Sequence, residues 1–451
     1  MKTDKSGSSD VGGASISRRG FMKKTMSAAA AFTVVPSFVL GGPNHTAPSE
    51  KLNIAFIGCG GQGERNIRQF SNENIVAFCD VDEERASGSY NLYPAVPKYR
   101  DFRKMLEKEK HIDAVVVTTP DHTHAIAAMT AIRMGKHVYC EKPLAYTIYE
   151  TRRLTEAARQ AKVATQMGIH HHAGEGVRVG VEILQSGVVG GIKEVHLWTI
   201  RPEELWSQGI GRPEETPPVP STLDWDLWLG PAPYRAYHPA YVPFKWRGWW
   251  DFGTGAFGNM GCHVMDMAFW ALKLGERSVS VEASTTRFKE ETYPASSLIR
   301  FEFGGLGEMP PVSVTWYDGG LLPWRPRELE SNRRLPSHGG IYIGEQGTIL
   351  ASLGDGPRII PESKMKGFKV PERTLPRSSG QHEEWVQACK GGAKPLADFE
   401  YSGPMTELVL LGNLAIRMGK RLEWDSANMK IPNAPEAEQY LHREYRKGWE
   451  L

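Results

Sequence analysis

The chain has 451 residues, 40% hydrophobic and 24% charged, with 54 basic against 52 acidic groups and a net charge of +2. This composition excludes a disordered chain or a collagen-like repeat, and 5 cysteines are too few for a disulfide scaffold. The charge balance argues against an electrostatic nucleic-acid binder, and the length predicts two or three domains with cores of their own.

Residues 1–42 carry most of the charge asymmetry: Lys2, Lys5, Arg18, Arg19, Lys23 and Lys24 stand against Asp4 and Asp10, so the remainder is slightly acidic. Arg18-Arg19-Gly20-Phe21-Met22-Lys23 precedes an apolar run from Ala28 to Leu40, too short to span a bilayer and fitting a signal h-region. The paired arginine resembles a twin-arginine signal. Export to the periplasm by the twin-arginine machinery is therefore expected. No A-x-A follows Leu40 to mark cleavage, and the first cysteine, Cys59, lies too deep in the chain for a lipid anchor. No other stretch is apolar enough for a span, so no stable membrane insertion of the mature chain is expected.

After a linker at 43–50, Leu52–Ile57 reads as a strand leading into Gly58-Cys59-Gly60-Gly61-Gln62-Gly63, with a helix over Glu64–Phe70. A second strand, Ile75–Cys79, ends at Asp80. A G-x-G-x-x-G loop between strand and helix, with an acid closing the next strand, is the context that dinucleotide binding requires. Gly58 permits the tight turn, Gly60 lets a pyrophosphate approach, and Gly63 lets the helix pack on the strand. Gly61 and Gln62 open the helix whose free N–H groups meet the phosphates. Asp80 would accept from ribose hydroxyls and repel a 2′-phosphate. Since Val81 and no cation follows, NAD is expected over NADP.

Strands and helices keep alternating: helix Phe102–Glu109, strand Ile112–Thr118, helix Thr123–Met134, strand Lys136–Cys140, helix Ile148–Gln160 and strand Val163–Met167. Continuous apolar strands in that rhythm predict a doubly wound parallel sheet over 51–168. Ligands lie beyond the carboxyl ends of such strands. Thr119-Pro120-Asp121 with His124, and Glu141-Lys142-Pro143, occupy two of those ends, so Thr119, Pro120, His124, Glu141 and Lys142 are expected to border the cofactor.

A second domain is expected over 169–451. His170-His171-His172 opens it; adjacent side chains diverge, so no metal is expected, but one of the three, His170, is placed at the substrate cleft. Helix Gly176–Gln185 and strands Lys193–Thr199, Ser297–Phe303 and Val312–Trp316 follow, then a long loop from Leu321 to Pro336, a helix over Met405–Met418 and a C-terminal arm. Tryptophans crowd between Trp198 and Trp270. One or two of them, Trp249 first, are expected to stack on a sugar ring, and Arg201 and Arg247 to contact hydroxyls or a carboxylate. On the helix after Gly253-Thr254-Gly255, residues 259, 263 and 266 share one face. The cysteines, mostly beside these motifs, are expected to be small buried residues without bridges.

Gly58-x-Gly60-x-x-Gly63, Thr119-Pro120-Asp121-x-x-His124-Ala125, Glu141-Lys142-Pro143 and Asn259-Met260-Gly261-Cys262-His263, in this order, resemble the Gfo/Idh/MocA oxidoreductases (glucose–fructose oxidoreductase and inositol dehydrogenase among them). The resemblance spans about residues 51–451. Trp246 to Phe252 and the ending Arg446 to Leu451 look like an exported bacterial subgroup. It implies an α/β protein: an N-terminal Rossmann doubly wound parallel sheet and a C-terminal α+β domain with a large, mostly antiparallel open sheet, assembled as a homodimer or homotetramer. It also implies that Lys142 lies at the nicotinamide and reacting hydroxyl, and that His263 moves the hydroxyl proton. The family's usual carboxylate four residues before that histidine is replaced here by Asn259. Asn259 would orient the substrate hydroxyl or the imidazole, and Asp266 would either supply the missing charge or pair with a neighbouring cation.

The expected function is an oxidoreductase acting on a hydroxyl of a sugar or sugar derivative, with tightly bound NAD recycled in place because free NAD is scarce outside the cytoplasm. Two alternatives stand beside it: redox-neutral glycoside cleavage by transient oxidation, elimination and re-reduction, and a sugar- or dinucleotide-binding protein without catalysis.

Overall fold

Apolar runs of four to six residues give a first sheet whose two faces are both buried. The computed structural model describes residues 50–451, apart from 288–289, 354–355 and 370; the expected export signal at 1–42 lies outside the described residues. Strands β1 (Asn53–Ile57), β2 (Asn74–Cys79), β3 (Lys98–Tyr99), β4 (Ala114–Val117), β5 (His137–Cys140) and β6 (Thr165–Met167) pair in parallel in the order β3-β2-β1-β4-β5-β6. Helices α1 (Gln62–Gln69), α2 (Glu83–Leu92), α3 (Phe102–Lys108), α4 (Asp121–Arg133) and α5 (Ile148–Ala161) connect them. Ile54 and Phe56 enter one core with Phe78, Val116 and Tyr139. Ala55 and Ile57, pointing the other way, enter a second core with Val115 and Val117.

Strand order reverses between β1 and β4. The loops after these two strands therefore part at the switch point and leave a crevice. Helix α2 and strand β3 have no counterpart in the sequence expectation. Only Ala86 and Ser89 of α2 are buried, so it has almost no apolar stripe, and Asp82 starts it by accepting from Arg85 N at 3.1 Å.

After α6 (Glu175–Gln185), strands β7 (Ile192–Thr199), β8 (Val279–Thr285), β9 (Ser297–Phe303), β10 (Val312–Tyr317), β11 (His338–Gly344), β12 (Thr348–Ser352), β13 (Arg358–Ile360) and β14 (Leu422–Trp424) form a sheet ordered β13-β12-β11-β7-β10-β9-β8-β14. Only β7–β10 is a parallel pair in it. The expected α/β class with a mostly antiparallel second sheet is what the chain adopts. Two consecutive helices, α7 (Gly255–Val264) and α8 (Asp266–Ala271), lead toward this sheet.

Two further helices join the domains. The helix α10 (Phe399–Met418), which follows α9 (Gln381–Cys389), starts at Phe399 and runs through Pro404, where Met405 was the expected start. Asp398 caps it by accepting from Tyr401 N at 3.1 Å, and Pro404 forfeits one helical bond. The same helix packs on β8, on α7 and on α5, where Arg152 meets Glu407 with two bonds of 2.8 and 2.9 Å. Helix α9 refines the expected boundary at residue 168: its Trp385 and Val386 are buried in the core with Ile54, Phe56 and Tyr139. The C-terminal arm also returns, with Trp449 against Phe102 and under the Arg103 guanidinium at 4.0 Å.

All 5 cysteines are unpaired; Cys59, Cys79, Cys140 and Cys262 are buried and Cys389 half-buried. Among the described residues no helix is long and apolar enough to cross a membrane, and no group of side chains has the makings of a metal site.

Candidate active site

The crevice at the switch point continues into a cleft of about 510 Å³ bounded by the glycine loop, both motif loops and α7. Gly58 sits at φ 87°, and a β-carbon there would lie 2.5 Å from Thr118 O. At Gly63 a β-carbon would lie 2.1 Å from Gly58 O, so this helix reaches the strand only because it has none. Gly61 caps α1 without a side-chain bond; Gly63 N donates to Gly60 O at 3.1 Å, leaving the N–H groups of Gln62 and Glu64 for a ligand. Asp80 is pinned by Cys59 N (2.7 Å) and Asp82 N (3.0 Å) and lines the cleft with spare lone pairs. Burial pushes its carboxyl up, against these bonds. The buried Thr119 Oγ1 has no hydrogen-bond partner among the described residues, an orphan that a bound ribose or amide would satisfy. Charge, curvature and orphaned donor all fit a dinucleotide.

The expected cofactor residues Gly58, Gly60, Gly61, Gln62, Asp80, Thr119, Pro120, His124, Glu141 and Lys142 all border this cleft, and Gly63 stands behind it. His124 acts as a clasp: its two ring nitrogens lie 2.8 Å from Pro143 O and 2.8 Å from Thr119 O, joining the two motif loops. Glu141 accepts from Asn66 at 2.9 Å; burial would raise its carboxyl, but His170 and Asn66 hold it below the usual range.

Sequence reasoning missed two parts. Arg85, from α2, packs over the loop, its side chain 2.4 Å and 2.6 Å from where β-carbons would stand on Gly60 and Gly61. It brings a cation to the phosphate cradle. Asp121, noted only as part of a motif, accepts from Thr254 N (3.1 Å) and Thr254 Oγ1 (2.6 Å) at the start of α7, and so fixes α7 to the cofactor loop. No local signal marks a bond between residues so far apart in sequence.

At the inner end, α7 presents Asn259 and His263 to the cleft opposite Lys142. Lys142 Nζ donates to Asn259 O at 2.9 Å. In the amide orientation that satisfies both neighbours, Asn259 Oδ1 accepts from Lys142 Nζ (3.1 Å) and Arg247 Nε (3.2 Å). One neutral oxygen thus holds two cations, which repel by roughly 3 kcal/mol at the effective dielectric of a partly buried site. Burial and Arg247 push Lys142 below the ordinary lysine range, and burial brings Arg247 down to about 10.

His263 Nδ1 is buried without a partner among the described residues, leaving Nε2 as the accessible nitrogen. Burial first, then Lys142 and His171, drive its basicity well below 6.5. His263 therefore stays an unprotonated base through the neutral range. We expect the acid limb of a kcat/KM–pH profile to fall below pH 6.5 and to vanish in His263→Asn; a limb above that value would refute this role.

Other expectations are corrected. Asp266 does not face His263: the helix breaks after Val264, and the carboxylate is buried against His172 Nδ1 (3.0 Å) and Tyr401 OH (2.6 Å). It supplies no charge to His263, and it pairs with a histidine and a hydroxyl where the alternative named a neighbouring cation. Trp249 is not a sugar platform. It is completely buried, donates to Ala240 O at 2.9 Å, and belongs to a separate small core with Trp225, Trp228 and Tyr241. The aromatic side chains that line the cleft are Phe102, Trp206, Trp228, Phe244, Trp246 and Trp449 instead. His170 does border the cleft, bonded to Gln381 at 2.8 Å, while His171 packs edge-on against His263. Arg201 lies at the cleft's rim, paired with Glu203 at 3.1 Å.

The model of the oxidoreductase family's NAD-binding Rossmann fold matches residues 52–169, and that of its C-terminal alpha/beta domain matches 181–304. Inositol 2-dehydrogenase of Salmonella typhimurium is 30% identical over 151 residues, 32% of this chain and 45% of that protein. The Burkholderia multivorans inositol 2-dehydrogenase is 33% identical over 151 residues, 32% of this chain and 44% of its own. The match thus spans under half the length of these curated relatives. Among solved structures, the WlbA dehydrogenase of Bordetella pertussis with NADH and UDP-GlcNAcA has a TM-score of 0.58 at 19% identity, covering 83% of this chain and 99% of that one. The aldose-aldose oxidoreductase of Caulobacter crescentus has a TM-score of 0.51 at 18% identity, covering 83% and 100%. These two are likenesses of fold. The two family models together match more than half of the chain, which belongs to the Gfo/Idh/MocA oxidoreductase family and carries its NAD-binding domain.

Proposed function

We propose, with that membership as premise, that the chain is an NAD-dependent oxidoreductase acting on a hydroxyl of a sugar or sugar derivative. The observation that carries this reading is the convergence of Lys142 and the neutral His263 on the inner end of the dinucleotide cleft. NAD, when bound, supplies the hydride acceptor. Lys142 Nζ, held by Asn259, donates to the reacting hydroxyl and stabilises the negative charge that develops on its oxygen. His263 takes the hydroxyl proton at Nε2 and returns it in the reverse direction. The aromatic side chains that line the cleft make its wall apolar and narrow the space left to water. Inositol 2-dehydrogenases and a levoglucosan dehydrogenase among the similar proteins support a polyol or sugar as substrate.

The reading extends to location and turnover: the twin-arginine signal directs the folded protein to the periplasm, and NAD stays bound and is recycled in place. Assembly as a homodimer or homotetramer belongs to the same proposal. The test is the absorbance near 340 nm of the purified full chain mixed with candidate sugars and aryl glycosides. Growth or bleaching of bound NADH supports net redox. Aglycone release without it moves the reading to redox-neutral cleavage. Ligand binding without either, unchanged in Lys142→Ala, moves it to a binding protein. A chain that does not bind NAD refutes both catalytic readings.

A further inference from the structure

We propose that the sugar accepted by this cleft is acidic, its carboxylate seated on Arg247 in the field of Lys142. The proposal rests on the oxidoreductase reading above and names its substrate class. Lys142 and Arg247 share the neutral Asn259 Oδ1, and among the described residues neither forms an ion pair with a carboxylate. The nearby acids Asp121 and Glu141 attract both cations without reaching ion-pair distance, their own hydrogen bonds going to Thr254 and Asn66. His263, a neutral base at the same end of the cleft, adds no negative charge.

Arg247 is also built as a receptor. Its guanidinium lies 4.0 Å from the Phe244 ring and 4.1 Å from the Trp246 ring, and Nη1 donates to Phe244 O at 3.1 Å. Nε is taken by Asn259, so Nη2 remains, on a cleft-lining side chain, with no protein acceptor among the described residues. A planar carboxylate on that nitrogen, near Lys142 but not bonded to it, would relieve the repulsion of two like charges and use a donor that is already held in place. One negative charge fits better than two. A carboxylate leaves one cation to stabilise the developing alkoxide, whereas a phosphate dianion would cancel both.

The experiment is a fluorescence titration of NAD-loaded full-length protein at fixed ionic strength with two matched pairs, D-glucuronate against D-glucose and D-galacturonate against D-galactose, and with glucose 6-phosphate. At least one uronate should bind ten or more times tighter than its neutral partner, on the order of what one added charge-assisted contact gives. In Asn259→Asp, which sets a carboxylate between the same cations, the preference should vanish while NAD stays bound. Arg247→Gln, a second variant independent of the first, should weaken uronate binding about tenfold and leave glucose unchanged. Neutral sugars equal to or better than their acids, no uronate binding, or a preference that survives both variants would overturn the proposal. Glucose 6-phosphate as the tightest ligand would overturn the carboxylate in favour of a phosphate. Failure to bind NAD is a separate result, read before any sugar is added, and it sinks the oxidoreductase reading itself.

Discussion

Lys142→Ala lowers the rate of NADH formation about 1000-fold and leaves bound NAD in place; that is the expected outcome of a single-turnover measurement at 340 nm. Lys142 Nζ lies at the inner end of the cleft, held by two oxygens of Asn259. The loss of one preorganised donor to a developing oxyanion costs roughly 100- to 1000-fold, and proton-transfer help is worth a similar factor. The upper part of that range applies because His263 alone would then face an unneutralised alkoxide. NAD is held by the glycine loop and α1, which the substitution does not touch. Nor should stability fall, since removing one of two like charges on Asn259 relieves repulsion. A variant that keeps more than a tenth of the wild-type rate would remove Lys142 from the mechanism. Lys142→Arg should rescue little, because a planar fork cannot replace a compact ammonium held by one residue.

A methyl group at Gly63 should do comparable damage by another route. The added carbon would stand 2.1 Å from Gly58 O and 2.8 Å from Gly58 C, and both are backbone atoms of the loop it must pack against. Relief means moving α1 away from β1, which opens the cradle. We expect Gly63→Ala to be destabilised by about 3 kcal/mol, the upper end for overpacking, and to be purified without NAD. Gly135→Ala is the control: φ is 71° there, but a β-carbon meets nothing within 4 Å. It should lose about 1 kcal/mol from left-handed strain alone and keep its NAD. Urea midpoints and cofactor content measure both. Normal NAD content in Gly63→Ala would show that the loop does not form the cradle.

Local pattern made the first sheet readable. Ala114–Val117 is four buried residues in a row and cannot be anything but an interior strand once α4 follows it. The glycine loop was readable because each glycine answers a local steric demand. Helix α2 was not, since its sequence has no apolar stripe and its start depends on one capping bond. Arg85 stayed hidden with it. The second domain was readable only in pieces, because an antiparallel sheet ordered β13-β12-β11-β7-β10-β9-β8-β14 leaves its strand order to contacts between distant segments. The site divides the same way. Lys142 and His263 were placed by motif, but the Asp121–Thr254 bond that sets α7 against the cofactor loop spans 133 residues. Asp266 and Trp249 misled for a common reason: helical spacing and composition say which residues lie near one another, and not which way a helix turns after its last hydrogen bond, nor whether an aromatic faces the cleft or its own small core.

Helix α9 gives the molecule a property that a linear map of two domains conceals. Trp385 sits among Phe70, Tyr139 and His382, with ring centroids 5.4 and 5.7 Å from the first two. A fragment cut after residue 168 would lose Trp385 and expose Phe70 and Tyr139 to water. The nucleotide-binding half is therefore not a transplantable module: a graft or chimera built from this chain must carry residues 381–389 with it, or supply another lid for that face.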